Sequence, residues 1–123
     1  MVSSAFLWVA LALGAGCGSV MRFLLDGAVS RALPSALPVG TMAVNLTGCL
    51  ALGIIDGAAV PRDVAFVFGT GVIGAYTTFS TWMFETQRLA EERQVARASQ
   101  NVLLSILLGV AVGAAGLWIG GRL

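Results

Sequence analysis

The residues able to do chemistry here are hydroxyls and amides: Thr41, Asn45, Thr77, Thr78, Ser80, Thr81, Asn101 and Ser105. Each can donate a hydrogen bond, and almost no fixed carboxylate stands among them. Phe79 and Trp82 lie three apart, on one face of a helix, and bring electropositive ring edges and an indole N–H. Donors and ring edges suit a small anion that must shed its water, whereas a cation pathway favours carboxylate rings or a carbonyl filter. Two of these readings have a plain alternative: core packing for Phe79 and Trp82, and an inter-helix hydrogen bond for Asn45. Arg22 is either a snorkelling interfacial residue or an inward-facing cation that draws anions in. No nucleophile–base pair or metal-ligand spacing occurs and histidine is absent, so an enzyme is not expected.

The elements that must position these groups are membrane helices. The chain has 123 residues, 58% hydrophobic and 11% charged, against about a quarter charged in a typical soluble domain. Uncharged runs cover Met1–Met21, Ala32–Ile55, Val64–Phe84 and Ala98–Gly121. About 20 apolar residues cross the hydrocarbon core, so each run is long enough to span. The expectation is a single all-α membrane domain over 1–123, with helices at about 4–25, 39–56, 63–96 and 99–121. Met1–Met21 lacks a positive n-region and reads as helix 1 rather than a cleaved leader. Its small residues Ala10, Gly14 and Gly18 recur every four positions, the spacing that lets helix backbones approach in lipid.

Outside the spans the sequence says less. Cys17 and Cys49 read as small apolar packing residues. A net charge of +1 with no basic cluster argues against nucleic acid. Arg31, Arg88, Arg93 and Arg97 fall on one side of the membrane, Arg62 and Arg122 on the other, and lysine is absent. Such a weak positive-inside bias is compatible with insertion in both orientations.

Within helix 3, Gly74-Ala75-Tyr76-Thr77-Thr78 is poor helix-forming sequence. A break near Gly74–Thr78 frees backbone N–H and C=O groups at membrane depth, tolerated only where they are buried in protein or line a polar cavity. If two chains met at this break, their carbonyls could enclose a monovalent cation.

Three blocks then carry a family likeness: Gly14-Ala-Gly-Cys-Gly-Ser-Val-Met-Arg22-Phe, Gly40-Thr-Met-Ala-Val-Asn45-Leu-Thr-Gly48, and Gly71-Val-Ile-Gly74-Ala-Tyr-Thr77-Thr-Phe79-Ser-Thr-Trp82-Met-Phe-Glu85. With the four-helix layout, the chain resembles the small bacterial fluoride channels of the Fluc or CrcB family along essentially its whole length. The resemblance implies an antiparallel, dual-topology homodimer in the cell membrane, with two pores that let fluoride leave passively and so relieve its toxicity. It implies a pore drawn from Asn45, Phe79, Ser80, Thr81, Trp82 and Ser105, with Arg22 and Glu85 beside it. It also implies a structural sodium ion at the dimer centre, held by the backbone carbonyls of Gly74 and Thr77 from both subunits.

The chain departs from the family pattern at a few positions. Trp82 stands where phenylalanine is usual, Ala75 where a second glycine is common, and Tyr76 where an apolar residue is usual. Gly109 and Gly113 occupy helix-4 positions where some members carry hydroxyls. Two rivals are a small dual-topology proton-coupled cation or multidrug exporter and a non-transporting packing subunit. The exporter needs a membrane-embedded carboxylate, which helix 1 lacks, and Glu85 is placed near a helix end.

Overall fold

The computed structural model describes residues 3–123, and among these every regular element is helical. α1 is Ser4–Ala32 and α2 is Val39–Gly57. The third span, Arg62–Glu91, is composite. Its first part, α3 (62–76), is a turn at Arg62–Val64, a π-helical stretch at Ala65–Ile73 and a last turn at Gly74–Tyr76. Its second part is α4 (Ser80–Glu91), and α5 (Val95–Gly120) closes the chain. All four spans are long and apolar enough to cross a membrane.

Helix ends follow local chemistry. α1 begins where the Ser3 side chain accepts a bond from the Phe6 N–H at 3.4 Å. It runs past the end expected near Leu25 because Asp26 accepts a bond from Ser30 one turn on, at 3.2 Å, and Arg31 sits in the last turn. It stops at Leu33, the residue before Pro34, where the proline ring disfavours helical geometry. The third span also ends earlier than the expected 96. The chain turns at Arg93, whose φ is +60°, and the Gln94 N–H returns to the Leu89 carbonyl at 2.8 Å. α5 can therefore start at Val95 rather than 99.

Packing is by backbone approach. α1 lies along α3, and a Cβ on Gly18 would meet the Val72 carbonyl, so glycine is required there. α2 pairs along its length with α5, where Gly53 faces Gly116. Both contacts use the small residues that membrane helices need in order to approach. The interior left over is thin and partly polar. Buried apolar residues are few, Val44 and Ile73 among them, whereas Thr41 and Asn101 are buried with them. Large apolar side chains such as Phe23, Leu107 and Val110 point outward, as they must when the surroundings are lipid.

Candidate ion pathway

Between Tyr76 and Ser80 the backbone leaves helical geometry, with Thr77 extended at φ −78° and ψ 159°. The preceding π-helical register sets this up, since the Gly74 N–H reaches back to the Gly69 carbonyl, five residues away. Side chains then take over bonds the helix has dropped. In an uninterrupted helix the Thr78 N–H would bond the Gly74 carbonyl. Here it donates to Asn45 Oδ1 at 2.8 Å, while Asn45 Nδ2 donates to the Thr78 carbonyl at 2.9 Å. Asn45 thus holds both backbone polar groups of one residue, Thr78, and so spans two successive peptide units. The Thr81 N–H is capped by Thr78 Oγ1 at 3.2 Å, which starts α4.

The Thr77 carbonyl accepts a bond from the Arg22 guanidinium at 3.3 Å, drawing α1 to the interruption. On α2, a Cβ on Gly48 would collide with the Thr77 methyl, so the threonine packs directly on the helix backbone. Tyr76 is buried, and its hydroxyl lies 2.7 Å from Thr47 Oγ1.

Two cavities flank this region. A groove of about 570 Å³ is lined by Asn45, Gly74, Thr77, Thr78, Phe79, Trp82 and Ser105 together with apolar residues of α2 and α5. No charged side chain lines it among the described residues. Phe79 is 70% exposed at its edge and packs edge-on against Trp82, with centroids 5.6 Å apart. The second cavity, of about 180 Å³, is lined by Arg22, Asp26, Thr41 and Thr81 among others. Thr78 lines both. Close to the second cavity, the buried Thr41 hydroxyl donates to Glu85 at 2.7 Å.

Of the residues singled out by sequence, Asn45, Phe79, Trp82, Ser105, Gly74 and Thr77 therefore share one groove. Arg22 and Thr81 line the other cavity, Glu85 is reached through Thr41, and Ser80 is exposed with its hydroxyl 3.5 Å from that of Thr78. Sequence reasoning missed the Tyr76–Thr47 bond and the π-helical register. The first had a signal, because a tyrosine inside a membrane span needs a partner for its hydroxyl. The second had none.

Residues 9–117 match the family model described as CrcB-like protein, Camphor Resistance (CrcB). The chain belongs to the CrcB family. One family relative, Fluoride-specific ion channel FluC 2 of Mycobacterium tuberculosis, is 50% identical over 92% of this chain and 90% of its own length. Fluoride-specific ion channel FluC 1 of Rubrobacter xylanophilus is 45% identical, covering 87% of this chain and 90% of the relative. FluC 1 of Leifsonia xyli is 38% identical over 92% and 85%. CrcB relatives are thus named as ion channels and not as enzymes, and the four spans make this CrcB chain a multi-pass membrane protein.

Proposed function

We propose that the chain is a fluoride-selective channel that lets fluoride leave the cell passively. The observation that carries this is the groove, lined by neutral donors and an aromatic pair with no charged side chain. Fixed carboxylates would repel an anion, and fixed cations would hold it too tightly to release. The names of the relatives supply the choice of halide.

An ion enters by way of the cavity lined by Arg22, whose guanidinium offsets the neighbouring Asp26 and so keeps the entrance open to an anion. It passes Thr78, the residue common to both cavities, and exchanges water for donors in the groove. The groove is open on one side, with Phe79 at its rim, and a second, antiparallel copy of the chain completes two such pores.

The sodium proposal rests on the interruption of the third span. The Gly74 carbonyl has lost the Thr78 N–H to Asn45, and a hard cation prefers oxygen ligands. The Thr77 carbonyl already accepts from Arg22 but keeps a second lone pair. These two residues fit a cation supplied with the same carbonyls from a partner copy, whose contribution is to fix the dimer. The exporter alternative gains no support, since Glu85 is engaged by Thr41 and does not line the groove.

The test is flux from vesicles holding the purified protein. Fluoride release should far outpace chloride release, and comparable chloride efflux would end the proposal.

A further inference from the structure

The uncharged groove continues, past Cys49 and Val110, toward the end of the molecule where α2 and α5 finish. This extension encloses about 560 Å³ between Leu52 and Asp56 of α2 and Ala114 and Leu117 of α5. Its floor is glycine for no reason internal to the fold. A Cβ on Gly109 would lie 3.7 Å from Cys49 Sγ, and one on Gly113 would lie 3.9 Å from the Cys49 carbonyl, both ordinary contacts. At Gly53, Gly116 and Gly120, by contrast, a Cβ would collide with the facing backbone. The first two glycines therefore leave room for something outside the chain.

Two charges of opposite sign stand at the mouth of the extension. Asp56 is exposed and lines it near the end of α2. On α5, Val110, Ala114 and Trp118 recur every four residues, which carries the groove wall up to the indole. Just past the helix end, the Arg122 guanidinium lies over that indole, 4.0 Å from the ring centroid. The two helix ends touch, since a Cβ on Gly57 would strike the Leu117 carbonyl. Among the described residues the ion pair joins Arg88 to Glu92, so Asp56 and Arg122 have no opposite charge within reach. Trp118 is 63% exposed at the end of a span, where tryptophan marks the headgroup level of a bilayer.

We propose that this groove holds one bilayer phospholipid of the phosphatidylethanolamine type, with an acyl chain on the glycine floor, its phosphate on Arg122 and its ammonium on Asp56. An anionic lipid would satisfy Arg122 but be repelled by Asp56. A choline headgroup brings a cation with no N–H to donate. A phosphate, a primary ammonium and no further charge answer both residues at once, each through a charge-assisted bond. The stacked guanidinium is already oriented, so little side-chain freedom is lost on binding. The site does not depend on which ion the pathway carries.

The test is native mass spectrometry of the full-length protein in micelles, titrated with phosphatidylethanolamine, phosphatidylcholine or phosphatidylglycerol of identical acyl chains. Phosphatidylethanolamine should bind roughly tenfold more tightly than the other two, the effect of one charge-assisted bond. Asp56→Asn should lower it to the level of phosphatidylcholine. Arg122→Gln should weaken both of these lipids alike, because both carry the phosphate. Gly113→Leu fills the floor from a position with room for a Cβ and should abolish binding. Equal affinity for the three lipids, a preference that survives Asp56→Asn, or undiminished binding in Arg122→Gln or Gly113→Leu would overturn the site. Dimers that retain no lipid would overturn it too, by showing that a second copy of the chain covers the groove. Fluoride flux is no part of the readout, so failure here leaves the channel reading intact.

Discussion

The two cavities that meet at Thr78 differ in kind. The smaller one carries an arginine and an aspartate, with Glu85 bonded to the neighbouring Thr41. The larger is lined only by apolar side chains, hydroxyls, an amide, a thiol and an indole. Fixed charge gathers ions at a distance and is affordable where water still reaches it. Deeper in the span the same charge would be costly to bury and would trap a counter-ion. On the channel reading, the contrast divides the labour of an ion pathway, with charged, hydrated side chains on one side of Thr78 and dehydration by neutral donors on the other. Asn45 stands at the divide, its side-chain amide bonded to both the N–H and the carbonyl of Thr78.

The largest expected effect comes from erasing that contrast. Asn45→Asp puts a carboxylate in the uncharged groove and replaces the N–H that the Thr78 carbonyl accepts with an oxygen. Leaving a charged group badly paired costs about 3 kcal/mol, or roughly a hundredfold in rate. Fluoride flux from vesicles should fall to background, and undiminished flux would remove Asn45 from the pathway. Gly48→Val should come next. Its side chain would strike the Thr77 methyl and push the extended segment off α2. Overpacking of this kind costs about 1–3 kcal/mol, so flux should drop roughly tenfold with lower thermal stability. A variant matching wild type in both would show that Thr77 packing on α2 is dispensable.

Arg22→Gln sharpens the comparison from the other cavity. The shorter glutamine keeps a neutral N–H donor on the same side of α1, but the charge that offsets Asp26 in the cavity is gone. Flux should fall several-fold at low ionic strength and differ little from wild type near 1 M salt, where the screening length is about 3 Å. An equal loss at both salt concentrations would assign Arg22 a purely structural role.

Legibility in the sequence was uneven for physical reasons. Four spans could be read from the uncharged runs because lipid imposes length and apolarity on every helix that crosses it. Gly18 could be read as a packing residue because membrane helices approach through small side chains. Helix ends were harder. The Asp26–Ser30 bond carries α1 on to Ala32, and Arg93 takes a left-handed turn that glycine would have advertised. Within the groove, Asn45, Trp82 and Ser105 stood out as polar residues in apolar runs, but not their partners. That Asn45 spends both groups on Thr78 while Ser105 spends none depends on the π-helical register and the exact turn of α4, which no residue type specifies.

The smallest expected effect separates holding the pathway in shape from taking part in it. Tyr76 is buried under the interruption, and its hydroxyl meets Thr47, which in turn donates to the Ala43 carbonyl at 2.8 Å. Tyr76 does not line the groove. Tyr76→Phe keeps the ring and its packing and deletes one bond, worth about 1 kcal/mol net. Thr47 is left satisfied by its bonds to the α2 backbone, so no buried donor is stranded. The variant should therefore unfold a few degrees earlier and keep its fluoride flux within about twofold, the change expected when only a neutral bond is lost. A collapse of flux with stability unchanged would mean that the hydroxyl tunes the pathway itself, and the line between scaffold and groove would then run through Tyr76.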